Sequence, residues 1–251
     1  MIELRAFATK EQLARAAADL VLATALEALT LRGRFLWALS GGGTPGPLYE
    51  QLLKSPYREQ FPWAETHFCW GDERLVPPND PGSNYGQAWQ TFLGVAPVPA
   101  GHIHRIPGEL PPDWAALAYC GTLALLAGPA EKWPRFDLVL LGLGNDGHTA
   151  SLFPGQQLPE PLNRPASAVT GDYDGRPAHR VTLTPFILNE ARQLLFLATG
   201  REKAAAVAAT LEGEADPLNW PAQRLHPRQG DVHWYVAEGA DEKLRASQAQ
   251  K

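Results

Sequence analysis

The 251-residue chain has a formal net charge of −5, a pI of about 5.8, 45% hydrophobic residues and eight tryptophans. That is enough apolar material for a sizeable core, so disorder is excluded, and the acidic balance argues against a nucleic-acid partner. Cys69 and Cys120 stand at no metal or redox spacing, no apolar run is long enough for a bilayer, and Asp19 and Glu27 break the N-terminal run; the chain reads as a soluble, cytoplasmic protein without a signal peptide.

Apolar residues recur at helical spacing over 11–32, at Leu13, Ala16, Ala17, Leu20, Val21 and Leu29, and Gly33 stops that helix. Residues 35–39 form a buried-strand run that feeds a glycine-rich turn and a helix over about 47–54. A second strand, 66–70, ends in a Gly71-Asp72-Glu73-Arg74 loop, and 76–112 reads as irregular and rich in proline. A helix over 113–127 and an apolar strand over 137–141 follow, with His148 at the start of the next expected helix. Residues 154–179 form another proline-rich connector, then come a short strand over 180–184, a helix over 185–192 and a strand over 193–198. An alanine-rich helix over 202–211 and a strand over 232–236 complete the series. This alternation predicts an α/β fold with a mostly parallel sheet and helices on both faces, as one domain over 1–251.

In such a sheet, loops at the carboxyl ends of strands gather at one edge, so distant positions can line a single cleft. The stretch DLVLLGLGNDGHTASLFPG (137–155) delivers Asp146 and His148, two residues apart, on a glycine-rich turn. Histidine is the side chain best able to exchange a proton near neutral pH. Gly142, Gly144 and Gly147 also spell GxGxxG, but the acidic ribose partner of a dinucleotide site has only Asp172 as a loose candidate, so a nicotinamide cofactor is disfavoured. Ser40, Gly41, Gly42, Gly43 and Thr44 read as a phosphate cradle, because small residues free backbone N–H groups, hydroxyls add donors and a helix starts just after. Arg74 beside a carbonyl would stabilise developing negative charge while Asp72 holds a water or sugar hydroxyl; alone, such a pair is a plain salt bridge. Arg180 is a further cation, and Lys203 in the first turn of a helix opposes the helix dipole, a conflict that a bound phosphate resolves. His102 and His104 lack a third ligand at recognisable spacing, so no metal site is predicted, and Ser151 lacks the GxSxG frame of a serine hydrolase.

Five segments in order along nearly the whole chain resemble the 6-phosphogluconolactonase family: SGGGTP, GDERLVPPNDPGSNYG (71–86), DLVLLGLGNDGHTASLFPG, RPAHRVTLTPFILNEA (176–191) and ATGREKAAAV (198–207). The resemblance implies a three-layer α/β/α sandwich with a mostly parallel, Rossmann-like sheet, related to glucosamine-6-phosphate deaminase. It implies hydrolysis of 6-phospho-D-glucono-1,5-lactone to 6-phospho-D-gluconate, the second step of the oxidative pentose phosphate pathway, with no cofactor. In that scheme His148 activates water, and Asp146 and Asp72 orient the histidine, water or sugar. Arg74 supports the oxyanion or substrate, and Ser40, the glycine loop with Thr44, Arg180 and Lys203 hold the phosphate. The expected partner is a small phosphosugar lactone, with no nucleic acid or membrane, and the protein is expected to be a monomer or weak homo-oligomer. Three positions depart from the family: Gly43 where many members have Ser, Arg176 where Lys is frequent, and Glu238 where Asp is common. The related deaminase/isomerases read DGHIAFNEPG, with a ring-opening glutamate where this chain has Phe153, which cannot move protons. A non-catalytic sugar-phosphate sensor is the other alternative, and the joint presence of Asp72, Arg74, Asp146 and His148 argues against it.

Overall fold

The apolar runs at 35–39, 66–70, 137–141 and 193–198 become strands of one six-stranded sheet in the computed structural model, which describes residues 1–158, 163–171 and 177–245. Asp172 and Arg176 lie outside the described residues. The chain opens with β1 (Ile2–Phe7), α1 (Lys10–Arg32), β2 (Phe35–Leu39), α2 (Gly46–Leu52), α3 (Tyr57–Gln60) and β3 (Thr66–Trp70). It continues through β4 (Asp72–Arg74), α4 (Asn84–Ala88), α5 (Pro112–Leu125), β5 (Leu138–Gly142), β6 (Ala166–Thr170) and β7 (His179–Leu183). It closes with α6 (Pro185–Leu188), β8 (Gln193–Thr199), α7 (Ala204–Glu212) and β9 (Asp231–Ala237).

The main sheet is parallel throughout, in the order β1-β9-β8-β5-β2-β3. From β2 the chain moves outward to β3; from β5 it moves the opposite way, to β8 and then β9. Right-handed crossovers put connections of opposite direction on opposite faces. Helices α1, α2 and α3 accordingly pack together on one face, and α7, between β8 and β9, belongs to the other, which makes three layers. Thr9 caps α1 by accepting from the Gln12 N–H at 3.3 Å, and Gly33, at φ 71°, ends it. Its buried stripe of Leu13, Ala17, Val21, Ala25 and Ala28 keeps the helix close to the sheet.

Strands β2 and β5 are neighbours for only two residue pairs, Trp37↔Leu138 and Ala38↔Val139. Beyond them the two carboxyl ends lead into separate loops, and this is the topological switch point where α/β sheets place ligands. Below it Trp37, Tyr49, Phe61, Trp63, Phe68 and Phe92 form a buried aromatic wall, with Tyr49 and Phe92 stacked at 4.6 Å. Each such ring contributes roughly 1.5–3 kcal/mol by burial, which gives the cleft a rigid floor.

Several sequence expectations are corrected. The Asp72–Arg74 segment is a strand: past Gly71 the chain leaves the main sheet and β4 joins a second, antiparallel sheet of order β4-β7-β6. Strand β6 lies within the supposed connector 154–179, α4 within the supposedly irregular 76–112, and β1 was not anticipated. The helix expected over 185–192 spans only Pro185–Leu188. Both cysteines are buried free thiols, and no helix among the described residues is long and apolar enough to cross a membrane.

Candidate active site

A cleft of about 190 Å³ opens at the switch point. Ser40, Gly41, Gly42, Gly43 and Thr44 line it from the end of β2, Asp72 and Arg74 from β4, His148 from the loop after β5, Arg180 from β7, and Lys203 from the turn after β8. Asp146 stands behind His148 instead of lining the cleft.

The Ser40 loop is held from below. The Tyr49 hydroxyl donates to the Ser40 carbonyl at 2.7 Å and accepts from the Ser40 N–H at 3.1 Å. Gly42 adopts φ +88° and donates its N–H to Gln87 Oε1 at 3.0 Å. A Cβ on Gly41 would lie 1.9 Å from Asn84 Oδ1, so this side of the loop admits only glycine.

Strand periodicity sorts the small sheet. Asp72 pairs with Thr182 and Arg74 with Arg180, so these four side chains share one face, towards the cleft. Glu73 faces away and is buried, accepting from the Arg74, Asn84 and Tyr85 N–H groups at 2.7–2.8 Å and from the Ser83 hydroxyl at 3.0 Å. Burial pushes the Glu73 carboxyl up despite these donors. Asp72 accepts from the Ser151 hydroxyl at 2.5 Å and from Asn84 Nδ2 at 3.1 Å, and is itself buried. Two arginines directly opposite one another repel. Arg74 donates to the Gly82 carbonyl at 2.7 Å, while its buried Nε has no hydrogen-bond partner. Arg180 is only 2% exposed, donates from Nε to the Pro177 carbonyl at 3.3 Å, and sets its guanidinium 5.3 Å from the Phe153 ring centroid. An anion between these cations would relieve the repulsion.

The histidine loop closes on itself through Gly144 N–H to the His148 carbonyl (2.7 Å) and Gly147 N–H to the Gly144 carbonyl (3.0 Å). Gly147 sits at φ +82° with a Cβ position 2.5 Å from the Trp220 ring. Asp146 Oδ1 lies 2.6 Å from His148 Nδ1 and also accepts from the His148 N–H at 3.2 Å. With a carboxylate on that side, Nδ1 carries the hydrogen and Nε2 is left as the basic nitrogen. No helix begins at His148, contrary to expectation: Ala150 takes a left-handed φ of 48°, Thr149 bridges to Leu152, and the Thr149 hydroxyl donates back to the Gly142 carbonyl at 2.8 Å. Phe153 is buried, its ring centroid 5.4 Å from that of His148. Lys203 ends a 3₁₀ turn and occupies the N-cap of α7, one position before the helix proper.

Asn84 and Ser151, which together hold the Asp72 carboxylate, were not anticipated as site residues. The only signal for Asn84 was its place after Ser83, which caps α4 by accepting from the Gly86 N–H at 2.9 Å. Away from the cleft, the fold supplies His102 and His104 with a third neighbour, His67, whose ring centroid lies 4.0 Å and 5.2 Å from theirs. Among the described residues, however, no group of three or more metal-ligating side chains is arranged to hold an ion.

A glycine-lined loop and three cations at a switch point, beside a histidine–aspartate pair, suit an α/β enzyme acting on a small anionic substrate. Comparison with known proteins agrees. The family described as glucosamine-6-phosphate isomerases/6-phosphogluconolactonase matches residues 8–234, and the chain belongs to it. A 6-phosphogluconolactonase of Synechocystis sp. is 40% identical over 227 residues, covering 87% of this chain and 88% of its own. One from Haemophilus influenzae is 36% identical over 203 residues, covering 81% and 84%. Among solved structures, a 6-phosphogluconolactonase from Trypanosoma brucei superposes with a TM-score of 0.84 at 30% identity, over 97% of this chain and 99% of that one. A monomeric glucosamine-6-phosphate deaminase superposes at 0.80 with 22% identity, over 96% and 99%, and so shares the fold.

Proposed function

We propose that the protein hydrolyses 6-phospho-D-glucono-1,5-lactone to 6-phospho-D-gluconate, and that the cleft is where it does so. The kinship with named lactonases supports the reaction. The observation that carries the site is the His148–Asp146 pair at 2.6 Å, in reach of a cleft that also holds Arg74, Arg180 and Lys203.

In this reading His148 Nε2 takes a proton from water as the water oxygen attacks the lactone carbonyl carbon. Asp146 keeps the imidazole in the required tautomer and stabilises the imidazolium that forms. Arg74 faces the developing alkoxide. Collapse of the tetrahedral intermediate breaks the bond to the ring oxygen, which receives the proton from His148, and the product leaves as an open-chain carboxylic acid. Asp72, fixed by Ser151 and Asn84, orients a sugar hydroxyl or the water. Ser40, Gly41, Gly42, Gly43 and Thr44 take the phosphate together with Arg180 and Lys203, and that remote grip positions the lactone for attack. Gly43 has open space around its missing Cβ, so the serine frequent in relatives is replaced without a packing change, and backbone donors serve instead.

Phe153 favours the lactonase over the aldose–ketose isomerase, since an apolar ring against His148 supplies no second proton carrier. The same reading makes residues 1–251 one catalytic domain, a monomer or weak homo-oligomer, working on a small phosphosugar lactone in the cytoplasm without nucleic acid, membrane or cofactor. The test is hydrolysis of freshly generated lactone, with wild type and His148→Ala beside an enzyme-free control, because the lactone also opens spontaneously. A fast wild type and a mutant slowed by about 10²–10⁴-fold are expected; a wild type no faster than the control would overturn the assignment.

A further inference from the structure

The amino ends of the central strands carry a second concentration of positive charge. Arg32 ends α1, Arg34 precedes β2, Arg135 and Asp137 precede β5, and Arg192 precedes β8. Because β2, β5 and β8 are parallel, these residues meet at the sheet edge opposite the catalytic cleft, where they line a cavity of about 330 Å³.

Among the described residues, the carboxylates lining this cavity are Asp137 and Glu131, against four guanidinium groups. Asp137 is already engaged: Oδ1 accepts from Arg32 Nε at 2.8 Å and lies 3.3 Å from Arg192 Nε, and Oδ2 accepts the Leu36 N–H at 2.8 Å. Arg34 is fixed through the Leu126 carbonyl at 2.6 Å, and Arg135 through the Glu190 and Gln229 carbonyls at 2.8 and 2.5 Å. Carbonyls hold a guanidinium in place without cancelling its charge. The Arg192 Nε is buried and makes no directed hydrogen bond. Burial, with Arg32 and Arg135 close by, lowers the Arg192 pKa against the pull of Asp137 and Glu131, which reports the same crowding. A preorganised cavity with this surplus costs little to reorganise around an anion, and guanidinium forks match phosphate oxygens.

We propose that this cavity is a second anion site, one that takes a small phosphate-bearing dianion between Arg135 and Arg192, separate from the catalytic cleft. The inference does not depend on the lactonase reading.

Calorimetric titration of the full chain with inorganic phosphate at low ionic strength tests it. Wild type should show two sites. The double variant Arg180→Gln/Lys203→Gln, which cripples the cleft, should retain one. Adding Arg192→Gln should weaken that remaining site by about tenfold, the scale of one charge-assisted contact. Glu131 is exposed, so Glu131→Gln carries little risk to folding; it should tighten the same site by about threefold as a nearby negative charge is removed. The inference is overturned if the cleft variant binds no phosphate, or if its residual affinity responds to neither Arg192→Gln nor Glu131→Gln. Failure of lactone turnover with two phosphate sites intact would sink the catalytic reading and leave this one standing.

Discussion

A neutral imidazole is a useful base only when its neighbours decide which nitrogen holds the hydrogen. Here the decision falls to one carboxylate, since Asp146 Oδ1 contacts both Nδ1 and the backbone N–H of His148. Asp146→Asn keeps the side-chain volume but offers an amide that can donate to Nδ1 and turn the basic lone pair away from the cleft. Its kcat should fall by roughly 10²-fold or more while KM moves little, as steady-state kinetics would show; an unchanged kcat would remove Asp146 from the mechanism. This pair was legible in the sequence because both residues stand in one short glycine-rich run. Asn84 and Ser151 were not, since their tie to Asp72 exists only where the fold brings together positions 12 and 79 residues apart.

At the level of elements, the histidine loop depends on the absence of a single methyl group. Gly144 has an ordinary backbone conformation, yet a Cβ there would fall 2.0 Å from His148 Nδ1 and 2.4 Å from Asp146 Oδ1. Gly144→Ala should therefore leave the fold and melting temperature nearly intact while lowering kcat by about 10²-fold through a displaced imidazole; thermal melts run beside kinetics would separate this from unfolding. The strands with continuous apolar runs were easy to read because burial on both faces leaves that signature. Strand β1 lacks it, being exposed along most of its length at the sheet edge. Strand β4 lacks it because it is only three residues long, and β6 because most of it is only partly buried; both pair with β7, a pairing that no local pattern announces. The helix expected after His148 failed for a local reason: the left-handed turn at Ala150 ends any helical run before Pro154.

For the whole molecule, His67 on β3 and the two histidines stacked beside it tie stability to pH. His67 lies with its Nδ1 3.0 Å from His104 Nε2, and burial, then His102, His104 and Arg34, bring its pKa down from 6.5 to about 4. The unfolded chain thus binds a proton at this position that the folded chain refuses. Stability from this source is complete above pH 6.5 and is lost progressively as pH falls towards 4. Denaturant midpoints should rise with pH across that window, and His67→Gln should flatten the rise; an equally steep variant would assign the dependence elsewhere.

Strand β1 is completed by β9, which lies between it and β8, with partners such as Arg5 and Tyr235 separated by 230 positions. Synthesis proceeds at about 5–20 residues per second. Strand β1 therefore waits on the order of ten seconds or more for its neighbour, with its hydrogen-bonding edge open to other chains. That interval belongs to the topology itself, because β1 can join the main sheet only once β9 has been made.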